Sequence, residues 1–168
     1  MLKPLIFITL GDPAGIGPEV TVKSLDEIGN KNDYHTIVIG SSNVFNQALK
    51  ICDINLKFNT IKSIEELNKD DNSVHLLDLN NTQHRIQIGQ VDARSGKASV
   101  EWVLKAGELA SQTTDSAIVT APINKEACTL AGYKDIGHME IFQSQTNSKE
   151  VATMLIADSL RVVHLTTH

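Results

Sequence analysis

The sequence predicts an α/β fold with a mostly parallel sheet and helices on both faces. Three observations carry that expectation. Short runs of bulky apolar residues recur at 5–10, 36–40, 74–79 and 117–120, the pattern of buried strands. Capped or amphipathic stretches alternate with them, and strands alternating with helices argue for parallel βαβ units. The first strand also runs straight into a glycine-bearing loop and a helix, Gly11-Asp12-Pro13-Ala14-Gly15-Ile16-Gly17-Pro18-Glu19.

That loop admits two readings. Glycine lets backbone approach a ligand closely. Ligands in open α/β sheets bind at the carboxyl ends of strands, where helix N-termini favour anions. Gly11, Asp12, Gly15 and Gly17 are therefore candidates for one wall of a site. The other reading is a tight strand-to-helix turn whose glycines only permit close packing. The motif is not a P-loop, because no Lys-Ser/Thr follows Gly17. It is not the dinucleotide fingerprint either, because the third glycine is missing. Pro18 suits a first helical turn, where its absent N–H has no intrahelical partner, and the helix is expected over 19–28.

The remaining elements follow in order. After the strand at 36–40, Ser41 to Asn43 read as cap material for a helix over 44–51. A short strand is expected at 55–58, a short capped helix at 63–67 and a strand at 74–79. Residues 80–90 are polar and irregular. The clearest helix covers 98–111, where Val100, Val103, Leu104, Ala106 and Leu109 share a face opposite Glu101, Lys105 and Glu108. After the strand at 117–120, Asn124 caps a helix over 125–131 that Gly132 ends. Two apolar runs, 151–157 and 160–167, are joined by Asp158-Ser159. The division expected is an α/β domain over 1–130 and the start of a second domain over 131–168. Ending on His168, directly out of an apolar strand, suits the N-terminal part of something longer.

Composition narrows the function classes. The chain has 168 residues, 41% of them hydrophobic and 21% charged, and a net charge of −5. A chain of this size buries about 70% of its unfolded surface. Scattered positive charge on an acidic chain argues against nucleic acid or an acidic membrane as partner. The two cysteines, Cys52 and Cys128, form no CxxC motif, which fits a reduced, cytoplasmic protein. The apolar N-terminal run is too short for a signal peptide or a membrane span.

Four further residues are candidates for chemistry. His138 follows Gly137 at an expected helix start, where a histidine can donate a hydrogen bond or meet an anion. Lys125 opposes the macrodipole of its helix, which hints at an anionic partner. His164 and His168 lie on one face of a strand, but roughly 13 Å apart at the usual rise per residue, too far for one ion. His168 is the better metal ligand and needs other donors from elsewhere. His35, His75 and His84 show no constellation.

Taken together, the segments at 5–19, 119–125 (Val-Thr-Ala-Pro-Ile-Asn-Lys), Gly137-His138 with Glu140 and Phe142, and Leu160-Arg161-Val162 before Thr166-Thr167-His168 resemble the 4-hydroxythreonine-4-phosphate dehydrogenase family of vitamin B6 biosynthesis. That family includes relatives acting on phosphorylated threonate-like or erythronate-like acids. The resemblance covers the N-terminal half of the family. It implies a fold similar to isopropylmalate dehydrogenase, cut before the second domain is complete. It also implies a metal-dependent oxidation of a phosphorylated secondary alcohol, such as 4-phosphohydroxy-L-threonine, linked to NAD or NADP and followed by decarboxylation. By the same resemblance His138 and the residue after it contact substrate. That residue is usually threonine in the family and here is Met139, a thioether that cannot donate a hydrogen bond. His168 maps to a ligand of a divalent ion (Zn, Mg or Co) in a site shared across a homodimer. The alternative is a non-catalytic α/β module that binds a ligand or partner without turnover.

Overall fold

Five strands form one sheet: β1 (Leu5–Thr9), β2 (His35–Gly40), β3 (Phe58–Ile61), β4 (Val74–Asp78) and β5 (Ser116–Thr120). The structure, a computed structural model, describes residues 3–29, 33–68, 71, 73–83 and 86–164. The strand order is β3-β4-β2-β1-β5 and every neighbouring pair is parallel. This is the α/β fold that the alternating runs predict.

Register sorts the side chains of β1. Phe7 is level with Ile37 and Ile118, and Ile8 with Val38 and Val119, so the two sets occupy opposite faces. Helix α3 (Ala93–Gln112) lies on the Phe7 face, packed along β1, β2 and β5. Its Trp102 and Ala106 join Phe7, Ile37 and Ile39 in the main core. The opposite face carries α1 (Gly17–Ile28) and α2 (Ser42–Ile51), which pack against each other. A second, smaller cluster of Val100, Val103, Cys128 and Ile141 binds α4 (Lys125–Leu130) and α5 (His138–Thr146) to the outer side of α3. The chain then forms an antiparallel hairpin, β6 (Met154–Ala157) and β7 (Leu160–Val163), whose residues are all exposed.

One polar residue ties the irregular segment after β4 to α3. Asn81 Oδ1 accepts from Trp102 Nε1 at 2.9 Å and from Ser41 Oγ at 3.2 Å, and Asn81 Nδ2 donates to Glu101 Oε2 at 2.6 Å. The indole of Trp102 is thereby fully buried with its one donor satisfied.

Several boundaries differ from the sequence expectation. The strand expected at 55–58 starts at Phe58 and runs to Ile61, because pairing sets Phe58 beside Val74 and Ile61 beside Leu77. Burial of Ile61 outweighs the local pattern. The helix expected at 63–67 is a 3-10 turn, Ile64–Glu66. Helix α3 begins at Ala93, earlier than its apolar stripe. Asp92 caps it, with its side chain accepting from Arg94 N at 3.2 Å. The last strand ends at Val163, so His164 stands just beyond it. His84 and His168 lie outside the described residues.

Candidate functional site

The strand order creates a crevice. From β1 the chain moves to β2 and β4 on one side and later returns to β5 on the other. The loops after β1 and β5 therefore diverge at the carboxyl edge of the sheet, the usual position of a ligand site in such folds. Here the two loops are bonded at their roots. Ala121 N donates to Thr9 O at 3.2 Å, and Asp12 N donates to Pro122 O at 2.8 Å.

The glycines of the first loop serve this joint. Gly11 has φ +72°, and a Cβ there would collide with the Pro122 carbonyl oxygen. A Cβ on Gly17 would collide with the Leu10 carbonyl oxygen. A Cβ on Gly15 would press on the Asp12 side chain at 3.3 Å. Intramolecular close packing thus accounts for Gly11 and Gly17. Asp12 is buried, and its Oδ1 accepts from Ala14 N at 2.9 Å, closing the turn. Burial raises its carboxyl pKa; the Ala14 hydrogen bond pulls the other way, and the nearby Asp92 charge adds to the rise. A second loop lies over the first, with Gly89 N donating to Ala14 O at 2.7 Å.

His138 is the first residue of α5, after the extended N-cap Gly137. Its ring faces the Ala121 carbonyl, which acts to hold the proton, and Nε2 is buried without a hydrogen-bond partner. Burial dominates and lowers the imidazole pKa, so the ring is held neutral; the Ala121 carbonyl and the Glu140 charge oppose that shift. An orphaned buried nitrogen costs about 1–3 kcal/mol until something bonds it. The hydroxyls of Thr9 and Ser95 are also buried and unpartnered.

The other candidates are more open. Met139 is exposed, and Thr153 Oγ1 donates to its Sδ at 2.8 Å. Lys125 is the exposed first residue of α4, whose N-cap Asn124 accepts from Ala127 N at 3.0 Å. His164 is exposed, and its N–H donates to Thr153 O at 3.4 Å.

The described residues do not by themselves hold the groups that the family resemblance implies. Among them, no three His, Cys, Asp or Glu side chains gather as a metal site. The first turn of α1 carries its own carboxylate, Glu19, which offsets the positive end of the helix where a pyrophosphate would lie. The packing roles of Gly11 and Gly17 leave no open cradle at those positions.

The lowered pKa of His138 has a consequence for stability. The unfolded chain takes up the proton first as pH falls, so the stabilisation is complete above about pH 6.5 and lost below it, toward the folded pKa. Thermal unfolding between about pH 7.5 and about pH 5.5 is expected to show a smaller drop in Tm for His138→Gln than for the parent. Parallel curves would contradict the buried neutral ring. Asp12 has the opposite sign, since a raised carboxyl pKa removes stability as pH rises; it is common to parent and variant, so the comparison between them isolates the histidine.

Sequence reasoning missed Asp92, the Asn81 hub and Gly96 of α3, where a Cβ would fall on the Ala127 carbonyl of α4. Asp92 had a local signal, an aspartate just before a helix. The other two had none, because their partners are remote in the chain.

A family model described as pyridoxal phosphate biosynthetic protein PdxA matches residues 32–168. A Clostridium botulinum protein provisionally named D-threonate 4-phosphate dehydrogenase is 40% identical over 99% of this chain and 50% of its own length. A Fusobacterium nucleatum protein of the same provisional name is 39% identical, over 99% of this chain and 51% of its own. The crystal structure of a 4-hydroxythreonine-4-phosphate dehydrogenase from Burkholderia phymatum superposes with a TM-score of 0.88 at 36% identity, covering 99% of this chain and 50% of that one. A Klebsiella pneumoniae enzyme of the same name gives a TM-score of 0.83 at 31% identity, covering 97% and 50%. The chain thus spans about half the length of the curated relatives it matches.

Proposed function

The chain belongs to the PdxA family of pyridoxal phosphate biosynthetic proteins, and from that premise we propose that it forms the N-terminal part of a dehydrogenase acting on a phosphorylated secondary hydroxy acid. The observation that carries this reading is His138 at the switch-point crevice, a neutral ring whose Nε2 lacks a partner. Such a nitrogen can hold a substrate oxygen in place without adding charge.

In a nicotinamide-linked oxidation the cofactor takes the hydride and the protein supplies orientation and a dry site. What this chain contributes is positioning. His138 bonds substrate, Met139 beside it shapes the same wall, and the bonded loops at Gly11–Asp12 and Ala121–Pro122 hold that wall rigid. Lys125, exposed at the start of α4, is available to an anionic group. The finer reading takes in NAD or NADP, a divalent ion ligated in part by His168, decarboxylation after oxidation, a homodimer and a cytoplasmic setting. It also divides the chain into a domain over 1–130 and the start of another over 131–168, consistent with a β6–β7 hairpin exposed throughout.

The test joins this chain at residue 168 to the remaining half of the Clostridium botulinum relative. The product is assayed for NAD(P)H formation on D-threonate 4-phosphate and 4-phosphohydroxy-L-threonine, with and without divalent metal. Metal-dependent reduction of the cofactor is expected. Its absence on both acids would favour the second reading, a ligand-binding module without turnover. That reading draws on the lack of a clustered metal-donor set among the described residues.

In the same protein, Met139→Thr is expected to raise kcat/KM on 4-phosphohydroxy-L-threonine about tenfold, the worth of one added hydrogen bond of about 1.4 kcal/mol. An unchanged value would remove residue 139 from the substrate wall.

A further inference from the structure

The first two side chains of α5 offer no hydrogen-bond donor to a substrate. The His138 ring is neutral, and its proton is held toward the Ala121 carbonyl. A neutral imidazole has one donor and one acceptor nitrogen, so the buried, unpartnered Nε2 is left as the acceptor. It can take the proton of a substrate hydroxyl but has none to give to an anionic oxygen. Met139 ends in a thioether, which donates nothing. A phosphorylated hydroxy acid presents the opposite need, because its carboxylate and phosphate oxygens are strong acceptors.

One hydroxyl stands beside these two residues. Thr153 Oγ1 donates to Met139 Sδ at 2.8 Å. Thr153 is exposed and directly precedes β6. Its carbonyl accepts from His164 N at 3.4 Å, just beyond the end of β7. The base of the hairpin is thereby closed, and the Thr153 side chain is set against the first turn of α5. The bond it makes there is a poor one. A thioether sulfur is a weak acceptor, whereas a hydrogen bond to an ionised oxygen is roughly twice as strong as a neutral one. A hydroxyl proton rotates to suit its acceptor, so turning from sulfur to a ligand oxygen needs no backbone movement.

We propose that Thr153 is a substrate-binding residue of this wall, its hydroxyl leaving the Met139 sulfur to donate to an anionic oxygen of the phosphorylated hydroxy acid. The inference rests on the dehydrogenase reading above and adds a donor to the acceptor that His138 provides. Met139 holds the hydroxyl in place until the ligand arrives. The competing role for Thr153 is structural, to steady the Met139 side chain and nothing more.

The test uses the protein joined to its relative's second half. Turnover by the parent bears on the proposed function, and ratios between variants bear on Thr153. Thr153→Val removes the hydroxyl and keeps the shape of an exposed side chain, so Tm should not move. Its kcat/KM on D-threonate 4-phosphate is expected to fall at least about tenfold, chiefly through KM, the worth of one hydrogen bond to a charged oxygen. Thr153→Ser, which keeps the hydroxyl, should recover most of that loss. The deciding comparison is Met139→Thr/Thr153→Val against Met139→Thr alone. With the sulfur gone, a Thr153 that only steadied Met139 has no task left, and the two proteins would be equal. A Thr153 that touches substrate still costs about tenfold when its hydroxyl is removed. Equality of that pair would overturn the proposal, as would a Thr153→Val protein that matches the parent. If the parent oxidises neither acid, the same ratios are read from calorimetric binding of D-threonate 4-phosphate. Absence of binding as well would overturn the proposal together with the reading it rests on.

Discussion

Gly96→Val is expected to lower stability by about 3 kcal/mol, the upper end of the usual cost of overpacking. A Cβ at Gly96 would fall on the Ala127 carbonyl and lie 2.7 Å from Cys128 N. Both obstacles are backbone, so no rotamer change relieves them, and α3 and α4 must separate. The cluster of Val100, Val103, Cys128 and Ile141 would then open. For a chain of this size the expected fall in Tm is about 6–12 °C. Gly107→Ala is the matched control on the same helix. Its Cβ would meet the Gln145 side chain, whose far end can swing away at the loss of one bond to Leu104 O (2.8 Å), worth about 1 kcal/mol. Circular dichroism melts of the two variants decide the matter. Equal losses would mean that close approach of α3 and α4 is not what Gly96 provides.

The second large effect is on turnover. In the protein joined to its relative's second half, His138→Ala is expected to reduce kcat/KM about a hundredfold or more, the usual cost of removing a group positioned to accept the proton of a reacting hydroxyl. The fold should survive, because among the described residues the ring bonds the Ala121 carbonyl alone and α5 is held by Ile141 in the cluster beneath it. The pH profile adds a readout that a merely structural role would not move. Since burial holds the ring neutral, the parent should keep its activity down to a pH below the ordinary histidine range, and the variant should lose that limb. A kcat/KM within threefold of the parent would take His138 out of the site.

Much of this arrangement was legible in local sequence. The apolar run before Gly-Asp-Pro marked β1 and its loop, the Asn124 side chain marked the start of α4, and Gly137 placed His138 at a helix start. Each signal depends on neighbours a few residues apart, where periodicity and capping are encoded. The start of α3 was less legible, because Ser95, Gly96 and Ser99 interrupt the apolar stripe although Asp92 already caps the helix.

The sequence by itself determined the alternation of strand and helix, and hence a parallel α/β sheet. It also determined the residues that could bear chemistry, and the departure at Met139. Only the tertiary structure decided the strand order that opens a crevice beside β1, and the register that moved β3 onto Phe58–Ile61. It alone revealed that Gly11 and Gly17 are needed for backbone meeting backbone, and that His138 Nε2 is buried without a partner. The reason is physical. Propensity and amphipathic pattern act along the chain, whereas register, close approach and the burial of a single polar atom depend on groups that folding brings together from distant positions.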